Sequence, residues 1–124
     1  MRYDPHLHIA PAAWLGLDDS ERIESVIQYH QRRKIRLPNK KMHAIIHVIV
    51  ENQVAMGENY PARSVLLRLM NEGLDRHEAV HAIGSVLSER IYEALKQKSS
   101  GDLNAQYVEK LNRLTAESWR KLLP

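Results

Sequence analysis

Four histidines stand in two pairs of identical spacing, His43 with His47 and His77 with His81, and Glu51 lies four residues beyond the first pair. On a helix, residues four apart are neighbours on one face, so each pair presents two imidazoles to a single ion, as helices do when they hold zinc or another divalent transition metal. The chain contains no cysteine. Disulfide frameworks, thiolate zinc sites, iron–sulfur clusters and cysteine nucleophiles are therefore excluded, and any metal must use histidine and carboxylate. The expected ligands are His43, His47, His77 and His81, as a four-ligand set or as three with an open position, with Glu51 as a further ligand or as an acceptor behind one. An open position would make metal-bound water the nucleophile of a hydrolase, with Glu51 or Glu78 as its base. Zinc suits such a set best. Iron or manganese would bring oxygen chemistry within reach, although the ferritin-like pattern of glutamates with two E-x-x-H segments is absent.

Each histidine also has a plainer reading. A lone imidazole at the edge of an apolar face is ordinarily a core residue with its second nitrogen satisfied by a neighbour, and the four together could form a buried hydrogen-bond network around Glu51, Asn52 and Gln53. His30 lies on an apolar stripe and is a fifth, weaker candidate. His6 and His8 form an H-x-H that reads as solvated.

Residues 77–81 spell H-E-x-x-H, and Gly84 extends the match to H-E-x-x-H-x-x-G. In metalloproteases of that signature two histidines hold zinc and the glutamate acts on the metal's water. The third histidine of the longer signature would fall on Leu87, and no sheet is predicted upstream to bind an extended peptide. Glu78 is also explained as a first-turn helix residue.

The elements that must position these groups are helices. Charged residues at 27% and hydrophobic ones at 44% of 124 residues give enough chain for one core and too little for two. We divide it into an extended N-terminal arm over 1–17, anchored by Trp14 and Leu15, and a single all-α domain over 18–124 with about five helices. The first, Asp19 to Lys34, carries Ile23, Val26, Ile27 and His30 at helical spacing. The second follows Asn39 as cap and is apolar nearly all round, which predicts a central position. Pro61 and Gly73 bracket a third, with Val65, Leu66, Leu69 and Met70 inward. Asp75 with Glu78 resembles a capping box that opens a fourth, to about Lys98. Ser99, Ser100 and Gly101 break it before a fifth, Leu103 to Leu122, that buries Tyr107, Val108, Leu111, Leu114 and Trp119. An up-and-down order makes the second and fourth helices parallel, with all four imidazoles at one depth.

The formal net charge is +3, yet Arg32, Arg33, Lys34, Arg36, Lys40 and Lys41 place six cations and no acid in ten residues. Such a run can steer a nucleic acid or another phosphate-bearing partner. It reads more simply as cations in the last turn of a helix followed by a solvated connection, since no aromatic residue interleaves it. No signal peptide opens the sequence and no apolar run approaches a membrane span, so a cytoplasmic protein with no membrane contact is expected. A leftover apolar face near Trp119, Leu122 and Leu123 would suit a homodimer.

The stretches WLGLDDSERIESVIQYHQR, MHAIIHVIVENQ and RLMNEGLDRHEAVHAIGSVLSERIYE, within about residues 14–95, resemble a small bacterial family described as a domain of unknown function. The resemblance implies a helical protein with paired H-x-x-x-H segments, the first followed by a glutamate and a glutamine and the second beginning R-H-[DE]-x-x-H. Here these are His43, His47, Glu51 and Gln53, then Arg76, His77, Glu78 and His81. It implies no reaction, substrate or partner. Three functions compete: a metal-binding protein with hydrolytic capacity, a non-catalytic interaction module built on a buried histidine network, and a nucleic-acid-associated protein using residues 32–41. The partner would be an unidentified small molecule or protein in the first two. The first two respond oppositely to a chelator, and the third requires binding that weakens steeply with salt.

Overall fold

The computed structural model describes residues 1–96 and 101–122. Seven α-helices follow in order: α1 Pro11–Leu15, α2 Asp19–Arg32, α3 Lys40–Ala55, α4 Ala62–Asn71, α5 Arg76–Lys96, α6 Leu103–Arg113 and α7 Ala116–Leu122. A 3-10 turn, Gly57–Asn59, joins α3 to α4. Among the described residues there is no strand, and no helix is long and apolar enough to cross a membrane. The all-α single domain is as expected, while the helix count rises from five to seven for two local reasons.

The first addition lies in the arm. Pro11 at the first helical position starts α1, which turns Trp14 into the core. Trp14 is fully buried and its indole donates to Asn52 Oδ1 at 2.8 Å, whereas Leu15 is 37% exposed and is tied to α2 through its carbonyl, which accepts from Arg22. The second divides the expected last helix. Leu114 takes an extended conformation, and Thr115 and Ser118 then exchange backbone-to-side-chain hydrogen bonds, each 3.0 Å, to cap α7. Because of this break and the register it sets, Tyr107, Leu111 and Leu114 are buried while Val108 is exposed. Met70, expected inward, is likewise exposed at the margin of α4. The expected end of the fourth helix at Lys98, the break at Ser99 and Ser100, and Leu123 of the suggested dimer face lie outside the described residues.

The other helix ends follow their caps. Asp18 and Glu21 form a reciprocal capping box on α2, Asn39 accepts from the Met42 amide, and Asp75 accepts from the Glu78 amide. Gly73, at φ +110°, supplies the left-handed turn that ends α4.

α3 is the middle of the molecule. Ala44 and Val48 face a core with Tyr3, Trp14, Val26 and Tyr29, while Val50, with Ile46 and Ile49, joins a larger core built from α4, α5 and α6. Two cores on opposite sides account for its nearly continuous apolar surface. α5 crosses it at Gly84, where an added Cβ would stand 3.0 Å from Ile46 Cγ2. On the face that carries the histidines the two helices meet in opposed order. His43 neighbours His81, His47 neighbours both His81 and His77, and Glu51 pairs with Arg76. The parallel arrangement expected from an up-and-down order is thus corrected, because His43 pairs with His81, His47 with His77 and His81, and Glu51 with Arg76, in opposed order.

Candidate metal centre

His30 reaches the centre from the last turn of α2, His43 and His47 from α3, and His77 and His81 from the first two turns of α5. One nitrogen each of His30, His47, His77 and His81 lies within 4.8 Å of all the others. A tetrahedral ion with metal–nitrogen bonds of about 2.0–2.1 Å holds its ligand atoms roughly 3.3 Å apart, so the widest pairs of the group would close by up to about 1.5 Å on binding. Three of the four expected ligands are brought together. His43 stands outside the convergent four, its Nε2 3.2 Å from His30 Nε2, and His30 takes the fourth place.

The polar contacts fix which nitrogens carry lone pairs. The His30 Nδ1–H donates to the Val26 carbonyl at 2.9 Å, so the neutral ring turns an unprotonated Nε2 toward the cluster. Tyr3 donates its hydroxyl hydrogen to Glu51 Oε2 at 2.6 Å and therefore accepts from His47 Nδ1 at 3.1 Å. The Nε2 lone pair of His47 then faces His81 Nε2 at 3.0 Å. His43 and His81 satisfy His30 and His47 as donors. Five rings thus form two pairs, and the buried Nε2 of His77 is left with no hydrogen-bond partner.

Burial, and behind it the mutual repulsion of the rings, lowers the basicity of the cluster. His47 is held far below the ordinary imidazole range, His43 is lowered to about 4, His77 to about 3, and His81 is lowered as well. At neutral pH these four rings are uncharged, which is the form that ligates.

Glu51 sits behind the ligand layer. Its oxygens accept from Arg76 Nη2 at 2.7 Å and Arg76 Nη1 at 2.8 Å, beside the Tyr3 contact, and both residues of this ion pair are buried. Arg76 Nη1 also donates to the Pro5 carbonyl, tying the arm to α5. Burial first, then the Glu51 carboxylate, holds the Tyr3 phenol well above its usual range. Neither Tyr3 nor Arg76 was singled out by spacing, although Arg76 lies directly before His77 and within the R-H-[DE]-x-x-H segment. Glu78 is exposed and is not among the convergent groups. His6 packs its ring 5.2 Å from that of His77, while His8 is exposed.

The donor set fits a divalent transition metal: imidazole nitrogens only, uncharged, two of them oriented by acceptors on Nδ1, and one buried nitrogen lacking a partner. A cleft of about 510 Å³ opens beside it, with His43, His47, His81, Met42, Ile46, Val80 and Trp119 among its lining residues. Of the basic segment, Arg32 donates to the Tyr3 carbonyl and Arg33 lies 5.8 Å from the Tyr29 ring centre. Lys34, at φ 56°, takes the turn after α2, and Arg36, Lys40 and Lys41 are exposed near the cleft's Leu37–Asn39 edge.

No curated protein and no solved structure matches the chain. A family model described as Domain of unknown function (DUF1841) matches residues 17–113, which include all five clustered histidines, Glu51 and Arg76 but not Tyr3. With most of its length matched, from before α2 to the end of α6, the chain belongs to the DUF1841 family.

Proposed function

We propose that this protein binds a divalent transition metal through His30, His47, His77 and His81. The observation that carries the reading is their convergence, four imidazole nitrogens within 4.8 Å of one another, and the His77 ring also carries a buried Nε2 without a partner. Zinc fits an all-imidazole set best, and iron or manganese are the alternatives. Four imidazoles fill a tetrahedral ion and make a structural centre; were one of them to leave its place to water, the metal would supply Lewis acidity and an activated water, and hydrolysis would be the reaction class. The protein's own groups orient and insulate. Tyr3 and the Val26 carbonyl hold two rings in the ligating tautomer, and the Glu51–Arg76 pair, neutral as a unit, fixes Tyr3.

The expected quartet is amended here by exchanging His43 for His30, with His43 as a neighbour of the ligands. Glu51 is proposed as the acceptor behind Tyr3, whose hydroxyl in turn accepts from His47 Nδ1, and the base is left to groups on the cleft side. The contacts of 3.0 and 3.2 Å between rings favour a second reading, a metal-free hydrogen-bonded network.

Elemental analysis of tag-free protein separates the two. One equivalent of zinc, iron or manganese in the wild type and in His43→Ala, with none in His30→Ala or His77→Ala, is the expected pattern. Absence of metal after incubation with each ion, with no change in melting temperature on adding chelator, would establish the network instead.

A further inference from the structure

A divalent ion held by four neutral imidazoles retains its full double charge, because none of the converging ligands is a carboxylate. The nearest buried acid, Glu51, is already matched by Arg76. A charge so placed requires an anion close by. The cleft beside the centre has the composition to receive one that carries an apolar body. It is lined by His43, His47 and His81 and by the apolar side chains of Met42, Ile46, Val80 and Trp119, and no acidic residue lines it. Its edge at Leu37–Asn39 lies between the exposed cations Arg36 and Lys40, within a run of six bases and no acid. The volume of about 510 Å³ falls within the usual span for small-molecule sites, and a lining of apolar side chains with a few polar groups is their usual make-up.

We infer that this cleft binds a small organic anion, a carboxylate with an apolar or aromatic body, whose head group lies at the histidine centre and whose body rests against Met42, Ile46, Val80 and Trp119. The inference rests on the metal reading above, since the metal supplies the charge that selects the head group. His43 adds the specific contact. It lines the cleft and touches the cluster, and once His30 Nε2 is committed to the ion, the His43 Nε2–H needs a new acceptor, which a carboxylate oxygen supplies. The apolar lining selects the body by burial, and Arg36, Lys40 and Lys41 raise the rate of encounter.

The test uses full-length, tag-free protein loaded with zinc, its content fixed beforehand by elemental analysis. Calorimetric titrations compare 4-phenylbutyrate with 4-phenylbutanol, which lacks the charge, and with acetate, which lacks the body. Trp119 fluorescence follows the same additions, since Trp14 is sealed in the core. Phenylbutyrate is expected to bind at least tenfold more tightly than either comparator. That advantage should disappear in zinc-free protein, and Ser88→Trp, which fills the cleft from its exposed side, should weaken binding at least tenfold with zinc content unchanged. Equal affinity for the alcohol, or indifference to Ser88→Trp, overturns the inference while leaving the metal reading intact. If Ser88→Trp instead dissolves a dimer and leaves phenylbutyrate binding untouched, the cleft is an interface between copies and the inference also fails. A protein that takes up no zinc at all sinks the metal reading and this one together.

Discussion

The Tyr3 hydroxyl accepts a hydrogen bond from His47 Nδ1 at 3.1 Å while donating to Glu51 at 2.6 Å, so a residue of the N-terminal arm sets the tautomer of the most deeply buried imidazole of the cluster. Such outer contacts govern the affinity of the ion that the ring holds, typically by ten- to a hundredfold. Tyr3→Phe keeps the ring in the core and removes only the oxygen. Zinc affinity, measured by competition with a chelating dye, is expected to fall by about ten- to a hundredfold. Stability of the metal-free protein should fall by about 1–3 kcal/mol, because His47 Nδ1 then lacks its acceptor. Unchanged zinc affinity would show that His47 does not ligate through Nε2.

Glu51 and Arg76 form a buried pair with two hydrogen bonds, and the second partners of the pair, Tyr3 and the Pro5 carbonyl, both belong to the arm. Removing one charge strands the other in the core. Arg76→Met is therefore expected to cost about 3–5 kcal/mol in urea denaturation, and Glu51→Gln a similar amount. The double variant Glu51→Met/Arg76→Met should recover a good part of that loss, since an apolar pair leaves no stranded charge. Additive losses in the double variant would show that the two side chains are not coupled in the folded state.

The helices themselves were legible from caps and periodicity, because Asn39, Gly73 and Asp75 act locally on the backbone next to them. The H-x-x-x-H spacing likewise marked the faces of α3 and α5 that meet. What spacing could not give was the contribution of other segments. His30 enters the cluster only because α2 packs on α3, and Tyr3 reaches Glu51 across 48 residues of sequence. The opposed order in which α3 and α5 meet also depends on such contacts between distant segments. The close approach of the two helices at Gly84, where a Cβ would stand 3.0 Å from Ile46 Cγ2, is likewise a feature that periodicity does not register. The division of the last helix had a readable signal in Thr115 and Ser118, three apart as in an N-cap pair, which the apolar pattern running through Leu111, Leu114 and Trp119 outweighed.

The depressed basicity of the cluster ties stability to pH. In the unfolded chain histidine titrates near about 6.5, while in the fold His43 titrates at about 4 and His77 at about 3, with His47 and His81 also lowered. Above pH 6.5 both states are neutral and stability is complete. As pH falls below that value the unfolded chain takes up protons that the fold refuses, so stability drops by up to about 1.4 kcal/mol per pH unit for each such ring until the folded values are reached. Urea denaturation of chelator-treated protein at pH 7.5, 6.0 and 5.0 should therefore show a steepening loss, and bound zinc should leave over the same interval as the ligands protonate. A stability that is flat from pH 7.5 to 5.0 would place these histidines in solvent.

Gly84 offers the sharpest test of the geometry that brings the two histidine helices together. In an isolated helix, replacing glycine by alanine stabilises by about 1 kcal/mol, because alanine loses less backbone entropy. Here the new methyl would stand 3.0 Å from Ile46 Cγ2, on a β-branched side chain with little freedom to withdraw, while Val50 Cγ2 at 4.0 Å is in ordinary contact. The helices must then separate, at a cost of about 1–3 kcal/mol typical of an overpacked core, so the net effect is expected to be destabilising. Separation also carries His77 and His81 away from His47, which should weaken zinc uptake in Gly84→Ala although no ligand has changed. The companion variant Gly84→Ala/Ile46→Ala makes room for the methyl by removing the groups it meets, and zinc affinity should return toward the wild-type value even though the core has lost volume. A single variant that is more stable than the wild type and binds zinc unchanged would mean that α3 and α5 do not pack this closely at Gly84.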